Sequence, residues 1–233
     1  MKMDAVTRTD YEKAIAFWND AYKPIMEEEP EITDLKDIAP SEKLYEACAS
    51  LGTSQNVLDY GCGHGWGAVI IASCGCKSVT AVDVNANAAE AAKRYAEAYG
   101  LQNQIETACV SDDWICTQAD NSYDAFFCSN VLDVVPEEVS DRILENAARI
   151  LKPGGKAVIG MNHYLKPEEN PQRGITVKKD NQIFINGILR LVSKTDEEWI
   201  NDISAHFRVD RLLYFAWPNE EKERRRLFYL TAE

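Results

Sequence analysis

The feature that most constrains the fold is a run of four glycines at alternate positions, from Gly61 to Gly67, directly after the mainly apolar stretch 57–60. Glycine loses more backbone entropy on folding than any other residue, so such a run needs a structural reason. It permits a sharp turn from a strand into a helix, and it allows a ligand to contact bare backbone. The run therefore predicts a strand, a ligand-binding loop and a helix; a sharp turn without a ligand is the alternative.

From residue 56 onward, short apolar stretches alternate with stretches of helical periodicity. Five strands are predicted here, at 57–60, 79–84, 105–110, 123–129 and 156–161. Strands that alternate with helices over short links are typical of a parallel sheet with helices on both faces. In such a sheet, ligands bind beyond the carboxyl ends of the strands, where the strand order reverses.

The segment before this core, residues 1–55, predicts helices without strands. Thr9 and Glu12 have the spacing of a capping box, which predicts that a helix begins at Thr9. The aromatic residues Trp18 and Tyr22 follow on this helix, so we expect it to close over the ligand site as a lid and exclude water. Packing in the core is the alternative role for Trp18.

The segment after the core predicts further strands and one helix. Stretch 175–191 predicts an inserted β-hairpin with a turn at Asp180–Asn181, and Thr195 with Glu198 predicts a capping box that opens a helix.

The last two strands, 209–215 and 227–230, are close enough in sequence to form an antiparallel hairpin at the sheet edge. The charged run Arg224 to Arg226 is expected at its solvated tip. The whole pattern predicts an α/β fold: a Rossmann-like, doubly wound, seven-stranded and mostly parallel sheet with an antiparallel edge hairpin.

An acidic residue closes the second predicted strand: Asp83 lies 22 positions after Gly61 (83 − 61). A carboxylate about 20 residues beyond such a loop can accept hydrogen bonds from both hydroxyls of a ribose. A helix cap or an exposed aspartate is the alternative. Loop and carboxylate together indicate a ligand that contains a nucleoside.

The identity of that nucleoside ligand depends on Asp59. The string Gly63-x-Gly65-x-x-Ala68 fits the dinucleotide fingerprint, but a carboxylate beside the loop would repel a pyrophosphate. The same carboxylate would attract S-adenosylmethionine, which carries an amino group and a sulfonium and has no phosphate. An NAD(P)-dependent oxidoreductase remains the alternative.

The motif from Val57 to Gly65, read as VLDYGCGHG, resembles the first motif of class I S-adenosylmethionine-dependent methyltransferases. More specifically, the chain resembles the small-molecule branch called methyltransferase type 11, from about Asn56 to Met161. The resemblance implies cofactor contacts, in chain order, at Asp59, Tyr60, Gly61, Cys62, Gly63, Asp83, Val84, Asp112, Asp113, Trp114 and Asn130.

The resemblance also implies individual roles. Asp83 would bind the ribose and Val84 the adenine; Asp112 would accept from the adenine amino group, and Trp114 could lie against the ring or in the core. Asn130 follows the fourth strand, whose end faces the methyl group in this family. The segment after Ser129 does not match the motif of methyltransferases that act on adenine or glutamine.

Three side chains beyond the strand ends are candidates for a general base: His163, Tyr164 and Asp133. A base is needed only when the acceptor arrives protonated. The alternatives are a backbone hydrogen bond for His163, a pocket wall for Tyr164 and a helix cap for Asp133. A non-catalytic S-adenosylmethionine-binding protein is therefore a second alternative function.

The pattern predicts a single methyltransferase domain. Its parts are a helical lid (1–55), a cofactor-binding core (56–161), an insertion (162–193), and a closing helix and strands (194–233).

Composition limits the partners. The net charge of −13 disfavours nucleic acid and anionic membranes. None of the seven cysteines lies in a CxxC motif, so we expect reduced thiols, no metal site and a cytoplasmic location. The expected acceptor is a small molecule, and the chain could form a homodimer.

Overall fold

Ten strands and eight helices make up the fold of the computed structural model, which describes residues 3–166, 174–179 and 181–233. The strands are β1 (Asn56–Tyr60), β2 (Ser78–Asp83), β3 (Ile105–Cys109), β4 (Tyr123–Ser129), β5 (Leu151–Met161), β6 (Ile175–Lys178), β7 (Gln182–Ile185), β8 (Ile188–Val192), β9 (Phe207–Phe215) and β10 (Arg225–Ala232). The helices are α1 (Ala5–Ala21), α2 (Lys23–Glu27), α3 (Leu35–Ile38), α4 (Glu42–Leu51), α5 (Trp66–Ser73), α6 (Ala86–Ala98), α7 (Glu137–Ile150) and α8 (Asp196–Ser204).

Seven strands form the main sheet, in the order β3-β2-β1-β4-β5-β10-β9. Strands β1 to β5 are parallel, and β10 runs antiparallel to both β5 and β9. The predicted seven-stranded, mostly parallel sheet with an antiparallel edge hairpin is therefore confirmed. The order reverses between β1 and β4, which places the expected ligand crevice beyond the carboxyl ends of these strands.

Apolar side chains cover both faces of the main sheet because neighbouring strand residues point to opposite sides. Phe126 packs in one cluster with Ile143 of α7 and Trp199 of α8. Its neighbour Phe127 packs in the other cluster, with Ile71 of α5. The layered arrangement follows from the all-apolar interior of β4.

The first helix begins earlier than predicted. Asp4, not Thr9, is the N-cap of α1, and its side chain accepts from the backbone N–H of Thr7 at 2.7 Å. The hydroxyl of Thr9 instead donates to the carbonyl of Ala5, one turn back. The capping-box prediction at Thr9 was wrong because an aspartate upstream offers the same cap.

A small antiparallel sheet, β6-β7-β8, follows the parallel core. The predicted inserted hairpin is confirmed, and a third strand extends it. Asn186 and Gly187 both have positive φ, at 51° and 79°, which gives the chain a second tight turn between β7 and β8. Of the turn predicted at Asp180–Asn181, Asp180 lies outside the described residues.

The arginine run is divided between the tip and the sheet: Arg224 is exposed and precedes β10, as predicted, whereas the next two residues are not part of a solvated tip. Arg225 and Arg226 belong to β10, and the side chain of Arg226 is buried. Its guanidinium donates to Asp196 and to the carbonyls of Asn162 and Lys194. Three acceptors from neighbouring segments thus compensate the buried charge.

Within the described ranges, no helix has the length and apolar character needed to cross a membrane.

Candidate functional site

A cavity of about 400 Å³ lies beyond the carboxyl ends of β1, β2 and β4. Its volume is in the range of small-molecule and cofactor sites. Its walls come from α1, the loop after β1, the ends of β2, β3 and β4, and the loop between β9 and β10. The lining residues are Tyr11, Ala14, Ile15, Trp18, Tyr22, Pro40, Leu44, Tyr60, Gly61, Cys62, Gly63, His64, Trp66, Val82, Asp83, Val84, Asn85, Val110, Ser129, Asn130, Val131, Val134, Val135, Ile143 and Trp217.

The glycine loop forms one wall with its backbone. Gly61 and Gly63 have φ values of 71° and 56°, where side chains are rarely tolerated. A Cβ atom at Gly61 would lie 2.2 Å from Cγ2 of Val131, and one at Gly63 would lie 2.5 Å from the hydroxyl of Tyr22. Both positions therefore require glycine for conformation and for space.

Asp83 joins the two loops that meet at the cavity. One carboxylate oxygen accepts from the backbone N–H of Gly63 at 3.0 Å. The other accepts from the backbone and side-chain N–H groups of Asn85, both at 2.9 Å. Burial raises the pKa of Asp83. The three donors fix the carboxylate at the edge of the cavity.

Asp59 lies behind the glycine loop and does not line the cavity. Its carboxyl accepts from the backbone of Ala68 in α5, while Oδ2 is buried and has no hydrogen-bond partner among the described residues. Burial raises the pKa of Asp59 to about 7, and the nearby charge of Asp83 contributes. The cavity thus has one carboxylate in its wall and a second one beneath it.

Helix α1 covers the cavity and is held at several points. Its lining residues include Tyr11, Trp18 and Tyr22. Asn19 receives a hydrogen bond at 3.1 Å from the backbone N–H of Asn87, at the start of α6.

Two ion pairs complete this attachment. Asp10 accepts from Lys178 of β6 at 2.7 Å, and Arg8 lies 3.2 Å from Asp112 in the loop after β3. The helix therefore bridges three separate parts of the fold.

Seven of the eleven residues predicted to bind the cofactor line the cavity: Tyr60, Gly61, Cys62, Gly63, Asp83, Val84 and Asn130. Asn130 adopts a left-handed conformation, with φ of 58°, directly after β4. Asparagine tolerates this conformation better than most residues.

Residues 112–114, in the loop after β3, lie outside the cavity wall. Asp112 is engaged by Arg142 at 3.0 Å as well as by Arg8, and Asp113 accepts from Ser111. Trp114 packs against the core. The four residues that were predicted to bind the cofactor but do not line the cavity are therefore Asp59, Asp112, Asp113 and Trp114.

None of the three predicted bases lines the cavity. Asp133 is fully buried and accepts from the backbone N–H of Asn162 at 2.6 Å. Burial, together with Arg224 and Arg225, lowers the pKa of His163. Tyr164 is 38% exposed on the surface.

Several cavity residues were not predicted as site residues from the sequence, among them His64 and Trp217. His64 lies inside the glycine run, so the motif itself marked the position. Trp217 lies in the loop between β9 and β10 and is 40% exposed at the rim. Nothing in the sequence indicated this position beyond its aromatic side chain. The β9–β10 loop reaches the cavity only because β10 pairs with β5, and that pairing is not visible in the sequence.

The sheet order, the glycine loop and the acidic end of β2 define the class I methyltransferase fold. Residues 57–155 match the family described as "Methyltransferase domain". The resemblance predicted from the motifs is thereby confirmed for this part of the chain.

Curated proteins match part of this chain in sequence. Ubiquinone biosynthesis O-methyltransferase of Coxiella burnetii is 35% identical over 102 residues, which are 44% of this chain and 41% of that protein. The chain thus spans about two fifths of the length of this curated relative.

Solved structures share the fold at low identity. The 1,6-didemethyltoxoflavin-N1-methyltransferase of Burkholderia thailandensis, solved with 1,6-didemethyltoxoflavin and S-adenosylhomocysteine, superposes with a TM-score of 0.72 at 15% identity and covers 100% of this chain and 92% of its own. The [4+2]-cyclase SpnF has a TM-score of 0.60 at 20% identity, over 90% of this chain and 74% of its own. One fold therefore serves more than one kind of chemistry.

Proposed function

We propose that this protein transfers a methyl group from S-adenosylmethionine to a small-molecule acceptor. The observation that carries the proposal is the cavity itself: glycine backbone on one wall and the carboxylate of Asp83 at its edge. The family match over residues 57–155 and the named O-methyltransferase relative support it.

The residues of the wall suit this cofactor. The backbone of Gly61 and Gly63 is open to the methionine part. Oδ2 of Asp83 accepts one hydrogen bond, from Gly63, and therefore retains a lone pair for a ribose hydroxyl. Val84 and Val110 offer an apolar surface for adenine. A positively charged ligand at the loop would in turn favour ionisation of the Asp59 carboxyl beneath it, whose pKa burial raises.

A dinucleotide suits the wall less well. Its pyrophosphate would need donors and positive charge at the loop. No lysine or arginine lines the cavity in the described part of the chain, and Asp83 contributes negative charge. The oxidoreductase alternative therefore lacks the group that would bind the phosphates.

Positioning is the main contribution that we assign to the protein in the reaction. S-adenosylmethionine supplies an activated methyl group, so correct placement of the acceptor can lower the barrier by roughly 7–11 kcal/mol. Helix α1 covers the site and excludes water. The assignment of His163, Tyr164 or Asp133 as a base stays a prediction that no contact with the cavity supports.

We extend the proposal to the whole protein with the remaining expectations. These are a single methyltransferase domain, a cytoplasmic location, no nucleic-acid or membrane partner and a homodimeric state. The acidic charge supports the exclusion of nucleic acid.

The test is calorimetric titration with S-adenosylhomocysteine and, separately, with NADH. We expect the first to bind and the second to give no heat. Asp83→Ala should weaken S-adenosylhomocysteine binding by about 1.5–3 kcal/mol, the scale of lost hydrogen bonds from a charged group. Asp37→Ala is the matched control and should change the affinity less than twofold, because Asp37 is exposed and lies outside the wall.

Turnover needs its own assay because the fold also hosts a cyclase. Release of S-adenosylhomocysteine from S-adenosylmethionine, across a set of acceptors, measures it. Binding without turnover on any acceptor would favour the non-catalytic alternative, and NADH binding at the site would refute the proposal. Circular dichroism of the Asp83 variant verifies that it is folded.

A further inference from the structure

Part of the cavity wall is formed by residues that are not assigned to the cofactor. This part comes from α1, from the segment at Pro40 and Leu44, and from the loop between β9 and β10. Its aromatic members include Trp18 and Trp217, which come from opposite ends of the chain.

Each of these two tryptophans makes a cation–π contact with an arginine. The guanidinium carbon of Arg190 lies 5.0 Å from the ring centre of Trp18, and that of Arg225 lies 4.2 Å from the ring centre of Trp217. Neither arginine lines the cavity. Both indoles line the cavity and the stacked cations do not, so each indole has surface available to a ligand besides the part that its arginine covers.

The guanidinium of Arg225, which stacks on Trp217, is itself held by hydrogen bonds. Glu220 accepts from the guanidinium of Arg225 at distances of 2.7 to 3.0 Å and from the backbone N–H of Trp217 at 3.0 Å. Arg225 also donates to the side chain of Asn162. The indole is thus held before any ligand arrives, which reduces the entropy lost on binding.

Charge is scarce on the cavity wall. Among the described residues that line it, Asp83 is the one with a carboxylate, and none is a lysine or arginine. Burial lowers the pKa of His64, so its imidazole is neutral at pH 7. An anionic acceptor would find no cationic side chain on the wall and would meet Asp83, whose negative charge offsets that of the cofactor's sulfonium. Burial of a charge without a partner on the wall is costly.

A cationic acceptor would be repelled by the sulfonium of the bound cofactor. We propose that the methyl acceptor is an uncharged molecule with a flat aromatic ring, bound against Trp18 and Trp217. This inference rests on the proposed function and names the substrate class of the same site.

Three probes of similar chemistry test it: 2-naphthol, which is uncharged and flat; 2-naphthoate, which adds a negative charge; and cyclohexanol, which is uncharged without an aromatic ring. Binding is measured by calorimetry, with and without saturating S-adenosylhomocysteine. We expect 2-naphthol to bind at least about tenfold more tightly than either other probe, because a tenfold ratio is the scale of one aromatic contact.

Variants connect this preference to the two indoles. Trp18→Ala and Trp217→Ala should each weaken 2-naphthol binding by about tenfold and change S-adenosylhomocysteine affinity less than twofold. Trp217→Phe retains a ring and should restore most of the affinity. Trp114→Ala, at a tryptophan outside the cavity wall, is the matched control and should leave 2-naphthol binding unchanged.

The outcomes separate the two proposals. Equal or tighter binding of 2-naphthoate, or unchanged 2-naphthol affinity in folded Trp18→Ala and Trp217→Ala proteins, would overturn the assignment of the acceptor class. Failure of S-adenosylhomocysteine to bind, with the preference for 2-naphthol intact, would instead overturn the proposed function.

Discussion

The buried carboxyl of Asp59 is one of the groups that make the stability of this protein depend on pH. Burial raises its pKa from 3.8 to about 7, so the folded state retains a proton on Asp59 that the unfolded chain loses. Between these two values the folded state binds more protons, and the free energy of unfolding therefore falls as pH rises. Over about three units the loss amounts to about 4 kcal/mol.

Asp59→Asn should remove this loss because asparagine does not titrate. Relative to the unsubstituted protein, the variant should gain up to about 4 kcal/mol in free energy of unfolding between pH 4 and pH 8. Urea denaturation across this range measures the difference. Asp37→Asn, at an exposed aspartate, is the control. A difference for Asp59→Asn that stays constant with pH would contradict the elevated pKa.

Residues of the site differed in how well the sequence predicted them. Gly61, Gly63 and Asp83 were predictable because the loop and the end of β2 are contiguous motifs whose chemistry is local. Asp112 was placed in the cavity by resemblance, whereas Arg8 and Arg142, from two distant helices, hold it elsewhere. Contacts of this kind depend on the packing of whole elements.

At the scale of elements, two identical spacings behave differently. Thr195 and Glu198 form a complete capping box at the start of α8, with both reciprocal hydrogen bonds. Thr9 and Glu12 share the spacing but lie inside α1. The pattern alone cannot show where a helix begins when another cap residue lies a few positions upstream.

Substitution of each of the two threonines tests which of them caps a helix. Thr195→Ala should lower the free energy of unfolding by about 0.5–2 kcal/mol, the usual loss for a removed N-cap. Thr9→Ala should be neutral or slightly stabilising, because alanine is the better helix former and no cap is lost. Chemical denaturation measures both. A larger loss at Thr9 than at Thr195 would contradict the assigned start of α1.

The parallel core was the most predictable part of the fold, since the strands from β1 to β5 are short apolar stretches between helices. The small sheet was less predictable. The turn at Asn186–Gly187 divides an almost continuous apolar stretch, and periodicity alone does not reveal that division. Arg226 was misplaced for a related reason: its burial depends on pairing with β5 and on Asp196 of α8.

For the whole molecule, α1 is the element that connects the cavity to distant parts of the fold. Its contacts reach α6 through Asn19, β6 through Asp10 and the loop after β3 through Arg8. A ligand in the cavity should therefore restrict the opening of α1.

Hydrogen exchange tests this coupling. At 100 times its Kd, S-adenosylhomocysteine should stabilise the folded protein by about 2.7 kcal/mol, which slows exchange through ligand-releasing openings by about 100-fold. The slowing should be greater for amides of α1 than for those of α8, which does not line the cavity. Equal slowing in both helices would indicate that α1 does not open by itself to admit the ligand.

The glycine loop has an evolutionary consequence. A wall made of peptide groups presents the same donors and acceptors whichever neighbouring side chains are exchanged. Tryptophans contributed by α1 and by the β9–β10 loop have no such constancy, since one codon change replaces each. Under the proposed function, descendants of this sequence could therefore acquire new acceptors quickly while the binding of the methyl donor stays unchanged.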